Sequence, residues 1–302
     1  MTITEKLDLA IKLKETGTTD GCYAVTYEKD DKKETLYRQT YMTNKAWNEF
    51  LAAMPKNAKK EYGEGGGDEL SEKNGRPPKM ASYGSSSRMI YNLSKNKENF
   101  HFEKKLPTSI GRGEANLDGF YEDDNRYIFV EAKCHEPYSV KGHTVSKAYE
   151  RLYNYINEHM FGELQIDMTT SKCGKYLNVE YFAGGEKLER FDIKQMICHL
   201  LGIATGLLEG TLKKKQVDFI YLLYDPTELD IDASAKAKIN EIYDRTCYEC
   251  NLIDFSELFR EMLEFLIDAK FQDVVSSDIV DDMALKFTFT LASQDFYPIL
   301  IS

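Results

Sequence analysis

The sequence predicts an α/β protein whose central sheet is covered by helices on both faces. Three observations carry that expectation. Residues 217–225, VDFIYLLYD, form a nearly continuous apolar run, the pattern of a strand buried on both sides. Two further apolar runs, ANLDGFYE from Ala115 and RYIFVEAKC from Arg126, are joined by Asp123-Asp124-Asn125, which is tight-turn chemistry. Finally, FDIKQMICHLLGIATGLLEG places Met196, Leu200 and Ile203 on one helical face and puts Gly206 or Gly210 near the end.

The other elements follow in order. Residues 1–55 read as a polar helix, the strands CYAVTYE and TLYRQTYM, and a helix NKAWNEFLAAM capped by Asn44. The charged, glycine-rich stretch KNAKKEYGEGGGDELSEKNGRPPK reads as a surface loop. Its glycines do not make a phosphate loop, because no GxxxxGK[ST] is present and no strand leads into them. SSSRMIYNLSKN is a helix behind a serine cap, and FHFEKKLPT is a strand in which Phe100, Phe102, Lys104 and Leu106 share one face until Pro107 stops it. Helix, three strands, helix, strand is the central order. Between them, residues 135–190 hold a helix near YERLYNYINEHM and strand material at YLNVEYFAG. Beyond Asp225 come the helices SAKAKINEIYDRTCYEC and SELFREMLEFLIDAK and a last strand LKFTFTLA. One elaborated domain is expected over residues 1–302: an N-terminal addition at 1–84, a core at 85–225 with an insertion near 135–190, and an acidic, mainly helical part at 226–302.

Composition limits the functional classes. With no apolar run of membrane-spanning length, the chain is expected to be soluble and cytoplasmic, without a membrane partner. Six scattered cysteines are expected to be reduced thiols. A formal charge of −11 argues against a polyanionic partner until its distribution is considered. Residues 225–282 carry 5 basic and 16 acidic side chains, which accounts for the whole imbalance. The remaining chain is balanced and is compatible with nucleic acid, above all where a metal ion adds positive charge.

The chemistry concentrates on the hairpin. In RYIFVEAKC, strand periodicity puts Tyr127, Phe129, Glu131 and Lys133 on one face. A carboxylate and an ammonium at the end of an apolar strand must pair or bind something to offset their desolvation. Asp118 stands on the neighbouring strand, so three charges converge on one sheet edge. Two carboxylates alone would repel, whereas a hard divalent cation takes one or two carboxylates together with water and phosphate oxygens. That set suits phosphodiester hydrolysis, with the lysine orienting or deprotonating the nucleophile and offsetting charge. The competing reading is a buried ionic network without activity.

Asp118, a spacer of 12 residues and Glu131-Ala132-Lys133 resemble the signature of the PD-(D/E)XK nuclease superfamily, with Leu117 in place of the name-giving proline. The order of elements is similar to that superfamily's restriction-endonuclease-like core, a mixed central β-sheet flanked by helices. EAKCHEPYS, SSSRMIYNL and QMICHLLGI also resemble an uncharacterised bacterial branch of it. The resemblance covers roughly residues 85–225. It implies an Mg²⁺- or Mn²⁺-dependent nuclease acting on DNA, of restriction or repair type. Asp118 and Glu131 would be metal ligands with the Ala132 carbonyl, Lys133 the catalytic lysine, and Gln195, in a Q-x-x-x-H arrangement, a residue that positions water or phosphate.

Further candidates stand beside their plainer readings. Glu114, four positions before Asp118, is a candidate for a second metal or water, against a solvated strand start. Glu136 is similar. His199, at i+4 from Gln195, is a candidate substrate contact, against a satisfied core histidine. Arg112, Lys104 and Lys105 are candidates for phosphate contact, against ordinary surface. Cys247-x-x-Cys250 lacks the second pair a structural zinc needs, and Cys134 reads as a packed thiol rather than a nucleophile. Tyr149, Tyr153 and Tyr155 either stack on bases or pack in the core. The alternatives to a nuclease are a catalytically silent nucleic-acid- or protein-binding module, and an acidic C-terminal part serving as a protein interface or DNA mimic. A homodimer is compatible with either.

Overall fold

The computed structural model describes residues 1–29, 32–65, 67, 69–111, 113–138, 142–271 and 285–292. The chain begins with α1 (Ile3–Thr16), the hairpin β1 (Tyr23–Lys29) and β2 (Lys32–Arg38), α2 (Asn44–Ala53) and α3 (Lys56–Glu64). α4 (Ser86–Ser94), β3 (Phe100–Pro107), β4 (Glu114–Glu122) and β5 (Arg126–Lys133) follow. Next come β6 (His143–Ser146), α5 (Glu150–His159), β7 (Leu164–Thr170), β8 (Tyr176–Ala183) and β9 (Glu186–Lys187). α6 (Ile193–Leu208), β10 (Gln216–Tyr224), α7 (Ala233–Asn251), α8 (Phe255–Leu266) and β11 (Leu285–Ala292) complete it.

The central sheet is mixed. Its order is β11-β10-β5-β4-β3; β10 runs parallel to β5 and β11, and β4 runs antiparallel to β3 and β5. Both faces of its middle strands are buried. From β5 and β10, Tyr127, Phe129, Val217, Phe219, Tyr221 and Leu223 enter one core with α5, α6 and α8; Ile128, Val130, Ala132, Ile220 and Leu222 enter the other with α1 and α4. Each such fully buried large apolar side chain contributes about 1.5–3 kcal/mol. β6, β8 and β7 form a second, antiparallel sheet, with β9 paired to β8, which closes the first core from outside.

Glycine sets how closely α6 approaches the sheet. A Cβ on Gly202 would stand 2.6 Å from Ala115 Cβ of β4 and 3.2 Å from Leu106 Cβ of β3. The helix can therefore lie against the strands, which brings its first two turns over the end of β5. Asp192 caps it, its carboxylate accepting the Gln195 N–H at 3.1 Å.

Several local expectations are corrected. α2 is capped by Thr43, whose side chain accepts the Ala46 N–H, and Asn44 is instead its first residue, bonding the backbone of Ala24. The second strand ends at Arg38 rather than running on to Met42. The expected loop from Lys56 begins as α3, where Tyr62 is 1% exposed and stacks on Phe102 at 5.0 Å. In β3 the expected alternation fails: Phe102 and Leu106 enter different cores, because Glu103 between them has φ 54°. The acidic C-terminal part packs on the rest: α8 buries Leu258, Met262 and Leu266 in the first core and β11 extends the sheet. Among the described residues, no helix is long and apolar enough to cross a membrane.

Candidate functional site

The site begins where two paired strands part. β4 pairs with β5 from Glu122↔Tyr127 to Gly119↔Val130 and then stays with β3 alone, while β5 remains on β10 as far as Lys133. The splay leaves the N–H of Ala132 without a β4 carbonyl, and Asp118 Oδ2 accepts it at 2.7 Å. Around this point the apolar alternation of β4 shifts by one: Ala115 and Leu117 enter the first core, and so does Phe120. Across the ladder, Phe102↔Gly119 and Lys104↔Leu117 keep one register, so Glu103, with its left-handed backbone, lies opposite Asp118. Two acidic residues thus occupy matching irregularities on neighbouring strands.

α6 supplies the other half. Glu131 Oε1 lies 2.6 Å from Lys133 Nζ and its Oε2 lies 2.8 Å from His199 Nε2. Lys133 Nζ also donates to Gln195 Oε1 at 2.5 Å, which leaves one ammonium proton beyond these two bonds. Burial by itself would push the Glu131 carboxyl up, but the Lys133 and His199 charges outweigh it and hold the group below its usual range. Burial likewise pulls Lys133 down, and the Glu131 carboxylate, with smaller contributions from Tyr221 and Glu136, raises it well above a free lysine. Lys133 is therefore an ammonium ion.

Among the described residues, Asp118 and Glu103 have no cation within ion-pair distance. Burial first, then the Glu131 charge, raises Asp118 well above an ordinary aspartate. Burial lifts Glu103 to about 7 against the hydrogen bond it accepts from Asn116 Nδ2 at 2.6 Å, and Glu69 and Glu131 lift it further. Asp118, Glu131 and Glu103 share one cavity of about 640 Å³ with Lys133, Gln195 and Asn116. Its opposite wall is formed by Glu69, paired with Lys79 at 3.2 Å, and by Ser85, Ser86 and Ser87 at the start of α4. A neighbouring space of about 190 Å³ shares Lys133, Glu136 and Gln195 with it.

The loop ahead of α6 is held from the C-terminal side. Glu249 of α7, fully buried, accepts the backbone N–H groups of Glu189, Arg190 and Phe191 at 2.8–3.1 Å and pairs with Arg245 at 2.8 Å. This fixes the chain immediately before Asp192 and Gln195.

The structure brings Asp118, Glu131, Lys133, Gln195 and Glu136 to one cavity, places His199 behind Glu131, and leaves Glu114, Lys104 and Lys105 outside the lining. His199 is 2% exposed and turned to Glu131, so it supports the carboxylate rather than meeting a ligand. Glu114 stands exposed at the start of β4, outside the cavity lining. Lys104 lies 4.7 Å over the Phe120 ring and Lys105 donates to the Glu64 carbonyl at 2.8 Å; neither lines the cavity. Arg112 falls outside the described residues. It is the N–H of Ala132, not its carbonyl, that is seen bonded at the site. Glu136 clamps the turn after β5, accepting the N–H groups of Cys134 at 2.8 Å and His135 at 3.1 Å and the Ser86 hydroxyl at 3.2 Å. Cys134 is 3% exposed and its thiol is pushed well up by burial, which keeps it protonated. Tyr153 is buried with its hydroxyl 2.9 Å from that of Tyr181. Sequence reasoning missed Glu103, Asn116, Glu69 and Lys79. Glu103 was hidden by an alternation that its own φ breaks, and Glu69 by a glycine-rich stretch that reads as surface.

The donor set suits a hard cation in its chemistry. Five carboxylates, those of Glu69, Glu103, Asp118, Glu131 and Glu136, line one cavity; burial first, and the charges of neighbouring carboxylates after it, raise Asp118 and Glu103, a conflict that positive charge would relieve. Among the described residues, no group of three or more His, Cys, Asp or Glu side chains is gathered to hold a metal by itself. A cation here would rest on Asp118 and Glu131 with water or ligand oxygens, the arrangement usual for Mg²⁺. Comparison with protein-family models, with curated proteins and with solved structures gives no match for this chain.

Proposed function

We propose that the chain is a divalent-cation-dependent nuclease with a restriction-endonuclease-like core, hydrolysing phosphodiester bonds in DNA. The observation that carries this reading is the parting of β4 from β5 with Asp118 on one strand, Glu131 and Lys133 on the other, and Gln195 bonded to the lysine. The order α4, β3, β4, β5, α6, β10 around that point supports the same reading. Mg²⁺ or Mn²⁺ at Asp118 and Glu131 would supply Lewis-acid polarisation of the phosphodiester. Lys133, bonded to Glu131 and Gln195, would offset the negative charge that grows on the phosphorane-like transition state. Gln195 aims that ammonium, and His199 holds Glu131 in place from the side closed to solvent.

Plasmid and linear single-stranded DNA incubated with the protein and Mg²⁺ or Mn²⁺ test the proposal. Cleavage by the wild type, and its loss in Glu131→Ala and Lys133→Met, is the expected result. Equal cutting by wild type and Glu131→Ala would remove the assignment.

One observation favours a second reading, a silent binding module that keeps the core. Both oxygens of Glu131 are already satisfied by Lys133 and His199, so that carboxylate needs no cation to be stable. Salt-sensitive DNA binding, without metal-dependent cutting of any substrate, would select this reading.

A further inference from the structure

Behind Lys133 and Gln195 lies a second chamber of about 190 Å³, which shares those two residues with the large cavity. It has the room of about six waters, enough for a phosphate group with part of its sugar and too little for a base pair. The phosphate that is cut belongs in the large cavity beside Asp118 and Glu131. The chamber is left for another part of the substrate.

Unused hydrogen-bond donors converge on it. Tyr221 of β10 lines the chamber and is 1% exposed, and no group among the described residues hydrogen-bonds its hydroxyl. Gln195 uses its Oε1 on Lys133, and its amide N–H groups have no acceptor among the described residues. Lys133 keeps one proton beyond its bonds to Glu131 and Gln195. Arg190, in the loop before α6, donates one N–H to the Pro137 carbonyl at 3.2 Å and has no acid within ion-pair distance among the described residues. The acids of the wall are engaged or turned outward: Glu136 accepts the N–H groups of Cys134 and His135, Asp192 accepts that of Gln195, and Glu189 stands exposed. The first turn of α6 adds the positive end of a helix of 16 residues. Donors from β5, β10 and the start of α6 thus face one small space, and the ligand they fit is an oxyanion.

We infer that the chamber is a phosphate subsite, taking a phosphate of the substrate strand next to the one that is cut, with Arg190 and Tyr221 as its own contacts. The identity of that strand rests on the nuclease reading above. Lys133 and Gln195 form the partition between the two spaces, so neighbouring phosphates of one strand can occupy both. The contact is made with ground state and transition state alike and therefore acts on KM rather than on kcat.

Two measurements on the full-length protein test this. The first needs no cleavage: inorganic phosphate is titrated into the metal-free protein at constant ionic strength and followed by calorimetry. Binding by the wild type is expected, weakened by roughly tenfold or more in Arg190→Gln and Tyr221→Phe and unchanged in Lys105→Ala. Tyr221→Phe removes only the hydroxyl, and the ring keeps its contacts with Phe191 and Phe289, whose centroids lie 4.8 and 5.9 Å away, so this variant tests the donor in a folded protein. The second uses a DNA duplex that the wild type cuts with Mg²⁺, and copies in which one phosphate beside the cut bond is a neutral methylphosphonate. On the ordinary duplex both variants should raise KM by roughly 10–100-fold and change kcat by less than about threefold. On the copy that lacks the charge read by the chamber, wild type and variants should coincide. If the sensitive group is instead the phosphate at a strand end, shown by duplexes with and without terminal phosphates, the subsite stands and its ligand is a terminus. No phosphate binding by the wild type, equal binding by wild type and both variants, or equal losses on the ordinary duplex and every neutral copy would overturn the subsite while leaving the nuclease reading standing. A protein that binds phosphate through Arg190 and Tyr221 but cuts no DNA keeps the subsite and overturns the nuclease reading.

Discussion

His199 Nε2 lies 2.8 Å from Glu131 Oε2, and both side chains are only 2% exposed. A helix residue with no access to the cavity thereby fixes one oxygen of a carboxylate that has access, leaving Lys133 to hold the other. The charge balance of the site depends on a residue that no ligand touches.

Removing that support has a defined cost. His199→Ala leaves a buried carboxylate oxygen unpaired and should destabilise the protein by about 1–3 kcal/mol. His199→Gln, which can still donate, should lose less. Urea denaturation at pH 7 distinguishes them, and equal losses would mean that the hydrogen bond contributes nothing beyond packing.

Glu103 should act in the opposite sense with pH. Its folded pKa, lifted to about 7, lies above the usual 4.5, so its contribution is present below pH 4.5 and is lost as the pH rises through 7. Glu103→Gln should match the wild type at pH 4 and exceed it at pH 8 by up to about 3 kcal/mol. Glu131 has the reverse sign, since its lowered pKa makes its contribution fade only as the pH falls below 4.5. Denaturation midpoints at pH 4, 6 and 8 check both; a variant less stable than wild type at pH 8 would refute the assignment for Glu103.

A divalent cation should stabilise the fold apart from any catalysis. At a tenfold excess over its dissociation constant, Mg²⁺ or Mn²⁺ adds about 1.4 kcal/mol through binding to the native state. Thermal unfolding of the wild type should shift upward with Mg²⁺, and that of Asp118→Asn should not. An identical shift in both proteins would place the ion elsewhere.

Gly202→Ala probes the seat of α6. The new Cβ would lie 2.6 Å from Ala115 Cβ, which is fixed to the β4 backbone, so helix or strand must move. A loss of about 1–3 kcal/mol is expected, as in other overpacked cores. Cleavage, if measured alongside, should drop further than stability, because the shift separates Gln195 from Lys133.

Much of this architecture could be read from the sequence because it rests on periodicity. The buried run of β10, the hairpin of β4 and β5 and the apolar stripe of α6 follow from alternation and helical spacing, and Asp118, Glu131 and Lys133 follow from their places in those patterns, whereas Gln195 is singled out only by the resemblance to the nuclease signature. The residues that escaped notice sit where periodicity stops. Glu103 reaches the cavity through a positive φ, and Glu69 comes from a glycine-rich stretch held in place by the Met80 N–H on its carbonyl and Lys79 on its carboxylate. His199 was visible as a helix neighbour of Gln195, but its orientation depends on how closely Gly202 lets the helix settle.

The clamp formed by Glu249 makes the part of the chain after Tyr224 a keystone of the protein rather than a detachable tail. A chain cut after Tyr224 would lose the carboxylate that fixes residues 189–191 and, with β11, the strand that covers the outer edge of β10. That bared edge, on a strand of mostly apolar residues, is a template for pairing with other chains. Nicked or shortened forms should therefore aggregate before they lose the hairpin that carries Asp118 and Glu131, and size-exclusion chromatography after limited proteolysis would reveal the order of events.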